Sequence, residues 1–171
     1  MQTTRVVHAD GGERLMWLTT TRVFYAGLLG AASERTFGGH GIYVSPRGLP
    51  NRIRIGGGAW QSGELIVVPP QVPHRVESAE PLILNLLVES DSADPEALPA
   101  VLRHCGPVDD ADFVRRVRAA HAWLLNASGR ECFDGIDFDR LFFGAALPPR
   151  PMDARIRRVV ERVNADPAES R

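Results

Sequence analysis

The sequence predicts a mainly β protein, in which short strands form an antiparallel jelly roll or barrel and helices follow towards the carboxyl end. Two observations lead to this fold class. Between residues 14 and 89, short apolar or β-branched runs alternate with Gly, Pro and Asn, as they do in β-sandwiches and barrels. After Asp94, the apolar residues instead recur with the period of an amphipathic helix.

The composition fits one globular domain with one sizeable core. The chain has 171 residues, of which 44% are hydrophobic and 24% are charged, and its formal net charge is -1 at pH 7. Nucleic-acid binding would therefore need a local concentration of positive charge. Cys105 and Cys132 stand outside any metal-binding spacing, which indicates reduced thiols. Because no apolar leader or bilayer-length run is seen, we expect a cytoplasmic protein without membrane contact.

Seven strands are predicted in the first part of the chain. The breaks between them contain turn-forming residues: two glycines at 38–39, the proline-rich 46–50, three glycines at 56–58 and the proline-rich 69–73. The predicted strands are 14–19, 22–29, 40–45, 52–55, 64–68, 74–77 and 82–89.

Helix-start signals follow the last strand. Asp94 is a candidate N-cap followed by a proline and a glutamate, which predicts a short helix to about residue 104. Asp137 begins another short helix, to residue 143, that Gly144 can close. The prolines of 148–151 then form a linker, and Asp153 caps a last helix. The apolar face of that last helix contains Ile156, Val159, Val160 and Val163.

A longer helix is predicted between these two, from Asp109 or Asp110 to about residues 126–129. Its apolar positions lie on one face of a helix, which requires a partner surface. That surface is either the protein's own barrel or a second copy of the chain, and we predict a homodimer contact. The residues of this stripe are Phe113, Val117, Ala120 and Leu124.

The segment from Gly63 to Ser78 has a specific spacing. Pro69, Gln71 and His74 follow the glycine in the pattern G-x5-P-x-Q-x2-H. This pattern resembles the second motif of the cupin superfamily, G-x5-P-x-G-x2-H-x3-N, with glutamine in place of the second glycine and Ser78 in place of the asparagine. The resemblance implies a cupin-like jelly-roll barrel in which the histidine faces the interior.

The first cupin motif, which supplies two histidines and a glutamate, is degraded here. His40 is present, but Ile42 stands where the second histidine belongs, and Pro46 and Arg47 stand where the glutamate should fall. Two imidazoles are too few for a tight catalytic metal centre. We therefore expect no metal and no cofactor, with His40 and His74 as hydrogen-bonded interior or rim residues or as ligand-binding, pH-sensitive groups.

Four stretches of the first half, 40–44, 47–53, 58–60 and 65–74, resemble the amino-terminal sensor domain of AraC-type transcription regulators. The tail, 152–160 with 164–167, is similar to the first helix of that family's DNA-binding domain. The resemblance implies a cupin-like sensor barrel over 1–92, a helical packing or dimerisation segment over 93–147, and a linker with a truncated DNA-binding domain over 148–171. The helix-turn-helix units would lie beyond this chain.

The predicted function is effector sensing, without enzyme activity. No nucleophile elbow or phosphate-binding glycine loop is present, so no catalytic residues are assigned. Arg54 alternates with two isoleucines along its strand, and the sequence does not decide whether its side chain points into the barrel or away from it. The predicted partners are a small-molecule effector, a second copy of the chain, and DNA through the missing domain. The predicted effector-binding residues are His40, Ile42, Arg54, Trp60 and His74.

Two alternatives belong to other classes of protein. The first is a small metal-dependent cupin enzyme, an isomerase or dioxygenase, that uses His40 and His74. The second is a dimerisation module whose barrel is packed shut and binds no ligand. Metal content discriminates the first from a sensor, and a closed, apolar interior would favour the second.

Because the recognition helices are expected to lie outside these 171 residues, we expect no sequence-specific DNA binding at physiological salt. A gel-shift assay with specific and scrambled duplexes checks this. A nanomolar, sequence-selective complex would contradict the interpretation of the chain as a sensor fragment.

Overall fold

The computed structural model describes residues 5–8, 14–127, 133, 135–151, 153, 155–156, 158–159 and 162. In these residues, ten strands form two antiparallel sheets, with helices against the larger one. The strands are β1 (Arg5–His8), β2 (Leu15–Leu18), β3 (Arg22–Gly27), β4 (Gly39–Val44), β5 (Asn51–Ile55), β6 (Trp60–Gly63), β7 (Leu65–Val68), β8 (His74–Glu77), β9 (Ile83–Glu89) and β10 (Gly106–Val108). The α-helices are α1 (Ala111–Ala127) and α2 (Phe138–Phe143).

The large sheet has the strand order β1-β2-β3-β9-β4-β7-β10, and the small sheet has the order β6-β5-β8. The placement of β9 between β3 and β4 is the kind of long-range strand return that jelly rolls use. The two sheets enclose a small apolar core, which we call the interior. It is formed by Tyr43, Ile53, Ile66, Val68, Val76 and Ile83.

The central strands of the large sheet are buried on both faces. Because successive side chains of a strand point to opposite faces, β4 directs Tyr43 to the interior and Ile42 and Val44 to the helices. The register continues this division across the sheet. One row, directed towards the helices, contains Trp17, Phe24, Leu86, Ile42 and Val67, and the adjacent row, on the other face, contains Met16, Tyr25, Asn85, Tyr43 and Ile66.

Helices α1 and α2 cover the second face of the large sheet with aromatic contacts. The rings of Trp17 and Phe138 have centroids 5.0 Å apart, and those of Phe24 and Phe142 are 4.8 Å apart. Each buried large side chain contributes about 2 kcal/mol of transfer free energy. Side chains from both sides of residue 92 share this core, so the helices and the large sheet form one packed unit. The division into 1–92, 93–147 and 148–171 stays a prediction.

The seven predicted strands are confirmed, with ends that differ by at most two residues. Strands β1, β6 and β10 are additional. The two α-helices, α1 and α2, also lie at the positions predicted for the longer helix and for the short helix that begins at Asp137. The predicted helix over 94–104 is instead two short 3-10 segments, Pro95–Ala97 and Ala100–Arg103. Pro99 stands between them, and proline disfavours a helical conformation in the residue before it and has no N–H to donate.

The last predicted helix is described in part. Arg155, Ile156, Arg158, Val159 and Arg162 have helical backbone, and Ile156 and Val159 are exposed. The remaining predicted apolar positions, Val160 and Val163, lie outside the described residues. No α-helix within the described ranges has both the length and the hydropathy needed to cross a bilayer.

A buried ion pair connects α2 to β3. Arg22 Nε lies 2.7 Å from Asp139 Oδ1 and Arg22 Nη2 lies 3.1 Å from Oδ2, with side chains only 7% and 14% exposed. Asp139 also accepts a hydrogen bond of 3.1 Å from the backbone N–H of Leu147. Arg22 donates further to the carbonyl of Thr21 and to the hydroxyl of Ser92. This pair therefore holds three segments together at one end of the large sheet.

The variant Asp139→Ala should lower the free energy of unfolding by about 3 kcal/mol, because it leaves the guanidinium of Arg22 buried without its carboxylate. Denaturant unfolding followed by circular dichroism measures the loss. Asp112→Ala is the matched control, since its pair with Arg115 is exposed and should contribute no more than about 0.5 kcal/mol. Equal losses in the two variants would show that the buried pair has no special role.

Candidate ligand-binding site

Two polar side chains meet in the interior. The hydroxyl of Tyr43, on β4, lies 2.8 Å from Nε2 of His74, on β8. The other ring nitrogen of His74, Nδ1, lies 2.8 Å from the carbonyl oxygen of Val72. Because a carbonyl can only accept, we assign the ring proton to Nδ1, and the Tyr43 hydroxyl then donates to Nε2. The sheet and the Val72 carbonyl therefore fix one tautomer of a neutral imidazole.

Burial keeps both groups uncharged at neutral pH. His74 is 1% exposed, and the rings of Phe37 and Tyr43 stand edge-on to it at 5.6 and 5.7 Å. Desolvation lowers the pKa of His74, the Val72 carbonyl partly offsets this, and the charge of Arg35 lowers the pKa further. Desolvation also raises the pKa of Tyr43 to about 12, against an opposing effect of Arg35. The pair is thus a neutral donor–acceptor unit.

Arg35 adds a positive charge to this neutral pair. It lies between β3 and β4, and its backbone pairs with that of His74 through two hydrogen bonds of 2.8 and 2.9 Å. Its Nη2 donates to the carbonyl of Leu29 at 2.9 Å. Within the described part of the chain, no carboxylate forms a salt bridge with Arg35. The site therefore contains a half-buried guanidinium next to Tyr43, and no acid of the described residues pairs with it.

Two amides also belong to these inner faces. Asn85 stands opposite Tyr43 in the register and donates to the carbonyl of Ile42 at 3.1 Å. Asn51, on the inner side of β5 with Ile53, is completely buried. Neither side-chain atom of Asn51 has a hydrogen-bond partner among the described residues. An unpaired buried amide costs about 1–3 kcal/mol, so Asn51 is an unsatisfied polar group on the inner side of β5.

The five predicted effector-binding residues lie on three different surfaces. His74 faces the interior, as predicted. His40 and Ile42 share the helix-facing side of the large sheet with Val88 and Leu86, their register partners. Arg54 and Trp60 stand opposite each other on the outer face of the small sheet. One ligand in the interior cannot contact all five, and the prediction of a single site is corrected to this extent.

The physical reason for this correction is the alternation of side chains along each strand. Tyr43 is the interior-facing residue of β4, so His40 and Ile42, at odd separations from it, face the other way. On β5, Ile53 and Ile55 pack against the interior core, which places Arg54 outside. The prediction that His40 and Ile42 face the interior is therefore wrong, because Tyr43 is the residue of this strand that does so.

A cupin-type metal site does not fit these residues. His40 projects to the helix-facing side and His74 to the interior, so their imidazoles do not converge on one point. The described part of the chain also contains no group of three or more His, Cys, Asp or Glu side chains placed to hold a metal ion. Where the family's glutamate should stand, the backbone N–H of Arg47 instead donates to the buried carboxylate of Glu80 at 3.1 Å.

The stripe on α1 is buried inside the chain. Its four side chains are between 0% and 4% exposed and contact the large sheet and the other helices. Of the two partner surfaces that the sequence left open, the chain's own sheet is the one occupied. A homodimer stays a prediction, and it would have to use other surfaces. The stripe residues are Phe113, Val117, Ala120 and Leu124.

Four polar residues of the inner faces were not found from the sequence: Arg35, Tyr43, Asn51 and Asn85. Tyr43 could have been found by assuming the opposite parity for β4, but both faces of this strand are apolar and the pattern does not choose. Arg35 comes from a segment without strand periodicity, so no sequence signal places it. Asn51 adjoins a proline turn at the start of β5, where an asparagine ordinarily indicates a turn.

The topology decides the fold class, because the long return of β9 between β3 and β4 and the two facing sheets are those of a jelly roll. The chain has a cupin-like fold. No protein-family model matches the sequence, and no curated protein matches it.

Several solved structures resemble this fold at low similarity. A protein from Neisseria meningitidis has 22% identity and a TM-score of 0.35, over 52% of this chain and 84% of that one. A candidate mannose-6-phosphate isomerase from Ralstonia eutropha has 16% identity and a TM-score of 0.30, over 53% and 86%. HppE in its apo form has 13% identity and a TM-score of 0.31, over 50% and 53%. At these values, the function has to be inferred from this chain's own residues.

Burial lowers the pKa of both His40 and His74 below the ordinary value of 6.5. At pH values between these lowered pKa values and 6.5, the two histidines bind more protons in the unfolded chain than in the folded chain. The free energy of unfolding should therefore be at its full value above pH 6.5 and should fall as the pH drops below it. Denaturant unfolding at a series of pH values measures this slope.

The variant His74→Gln should flatten this pH dependence, because it removes one of the two buried imidazoles. His104→Gln is the matched control, since it removes an exposed imidazole. A pH dependence that is identical in the wild-type protein and His74→Gln would contradict the assignment of His74 as a buried, neutral group.

Proposed function

We propose that this chain is the effector-sensing part of an AraC-type transcription regulator, which binds a small molecule in its barrel and controls a helix-turn-helix DNA-binding domain. The proposal is supported by the resemblance over 40–74 and in the tail. The single observation that carries it is the polar group of Arg35, Tyr43 and His74 between the sheets. A barrel that is only a packing module would be expected to bury apolar side chains at this place.

The charges in the interior indicate the class of effector. Arg35 supplies a cation without an acid partner among the described residues, and the adjacent tyrosine–histidine pair is neutral. A guanidinium in a partly desolvated site pairs best with a planar oxyanion, which it can bind through two parallel hydrogen bonds. We therefore propose an effector with a carboxylate for Arg35 and a hydrogen-bonding group for Tyr43.

Strand β4 offers a physical route from the effector to the helices. Tyr43 contacts the interior, while its chain neighbours Ile42 and Val44 pack in the core that α1 and α2 complete. A displacement of Tyr43 by a ligand therefore changes the surface on which the helices rest. The effector can shift this equilibrium only by binding one arrangement more tightly than the other.

The remaining roles in this proposal are a homodimer, a cytoplasmic location and DNA contact through the helix-turn-helix domain. The enzyme alternative is not favoured, because His40 and His74 point to different sides of the large sheet and supply no convergent ligand set. We assign no catalytic residues. The packed-module alternative predicts that no effector exists, which the following experiment tests.

A panel of small mono- and dicarboxylic acids should contain a compound that raises the thermal unfolding midpoint of the wild-type protein. At a hundredfold excess over its Kd, such a ligand adds about 2.7 kcal/mol of stability, which is roughly 5–10 °C for a chain of this size. Arg35→Gln should abolish the shift. Arg115→Gln, which removes an exposed arginine from α1, should retain it.

Native mass spectrometry of the same samples reports the bound mass and the number of subunits. One carboxylate per chain, lost in Arg35→Gln, supports the proposal. A shift that Arg35→Gln retains would contradict the proposed site, and a stoichiometric bound metal would favour the enzyme. If no carboxylate changes the unfolding midpoint, the effector class is wrong.

A further inference from the structure

The outer face of the small sheet has an unusual set of charges. Arg54, at the centre of this face on β5, stands directly opposite Trp60 on β6 and opposite Arg75 on β8. Like charges that stand directly opposite each other in a sheet destabilise it. The face therefore places two guanidinium-bearing side chains together where the strand pairing alone would disfavour them.

The acids on this face do not neutralise both arginines. Arg52 forms a salt bridge with Glu77 at 3.2 Å. Arg75 Nε is 3.9 Å from the carboxylate of Glu34, a distance too long for a hydrogen bond. Arg54 has no acidic partner within salt-bridge distance in the described residues. The positive charge of Arg54 is thus not neutralised by any described acid, and the neighbouring charge of Arg75 is only weakly paired.

The hydrogen bonding of Arg54 and Arg75 is also incomplete among the described residues. The Nε atoms of Arg54 and Arg75 are both buried, and neither has an acceptor among the described residues. Buried polar atoms of native proteins nearly always have a partner. The two directly opposed arginines therefore have no acceptor for these donors among the described residues.

Trp60 holds part of this arrangement in place. The guanidinium carbons of Arg52 and Arg54 lie 5.0 and 5.7 Å from the centroid of its ring. These distances are within the range of favourable cation–π contacts. Because the ring restricts the head group of Arg54, less conformational entropy is lost when a ligand binds there.

We propose that this face is an anion-binding site in which Arg54 and Arg75 bind a small oxyanion beside Trp60. Two planar guanidinium groups match the oxygens of a phosphate or carboxylate group. The site is separate from the interior, since Ile53 and Ile55 face inwards from the same strand. It does not depend on the proposed regulatory function.

The test is isothermal titration calorimetry of the purified chain with inorganic phosphate and, separately, with succinate at constant ionic strength. Wild-type protein should bind phosphate or succinate with a measurable heat. Arg54→Gln and Arg75→Gln should each weaken binding at least about tenfold, because a charge-assisted hydrogen bond is lost. Whichever anion binds more tightly identifies the source of the oxyanion.

Two control variants separate this site from general charge effects and from the interior. Arg115→Gln makes the same change in net charge at the paired, exposed Arg115 and should leave the affinity within about twofold. Phosphate is not among the carboxylates proposed for the interior, so phosphate binding that is lost in Arg35→Gln would place the anion in the interior and overturn the proposal. Circular dichroism verifies that each variant is folded. The proposal is overturned if neither anion binds at about 10 mM, if chloride competes equally well, or if folded Arg54→Gln retains wild-type affinity.

Discussion

The burial of the central strands on both faces is the constraint on which the rest of this structure depends. All four side chains of β7 are buried, and β4 is buried from Gly41 to Val44. The large sheet therefore contributes side chains to two cores, one against the helices and one against the small sheet. Since side chains alternate along a strand, each position belongs to one core by parity alone. The identity of the interior site follows directly from this assignment.

The polarity of each surface follows from the same constraint. Inside, the tyrosine and histidine are tolerated because each is hydrogen-bonded and uncharged. Beside this pair, the charged Arg35 is half-buried, and Arg54 lies on the outer face of the small sheet. Along β5, a single residue step separates an isoleucine of the interior core from an arginine of the outer face. Two chemically different surfaces are in this way formed by three short strands.

The sequence predicted the strands well because turn residues and β-branched runs are local signals. It could not predict which face of β4 is the interior, since Ile42, Tyr43 and Val44 can all be buried on either side. Asp94 caps a helical segment as predicted, but this segment is a short 3-10 turn and not the predicted helix over 94–104. The proline at 99 prevents a continuous helix from forming there. The stripe on α1 was recognised as apolar, but no local signal says whether its partner surface is the same chain. Arg35 was missed because its position depends on tertiary structure.

The absence of a solvent face on β4 has an evolutionary consequence. A substitution at Tyr43 would change the ligand site, but it would also disturb a fully packed core, so most such changes would be removed by selection for stability. The half-buried inner-face positions on neighbouring strands, such as Tyr25 and Leu87, are under weaker packing constraints. Divergence of ligand specificity among descendants of this chain would therefore proceed mainly through these peripheral positions, while the centre of the sheet changes slowly.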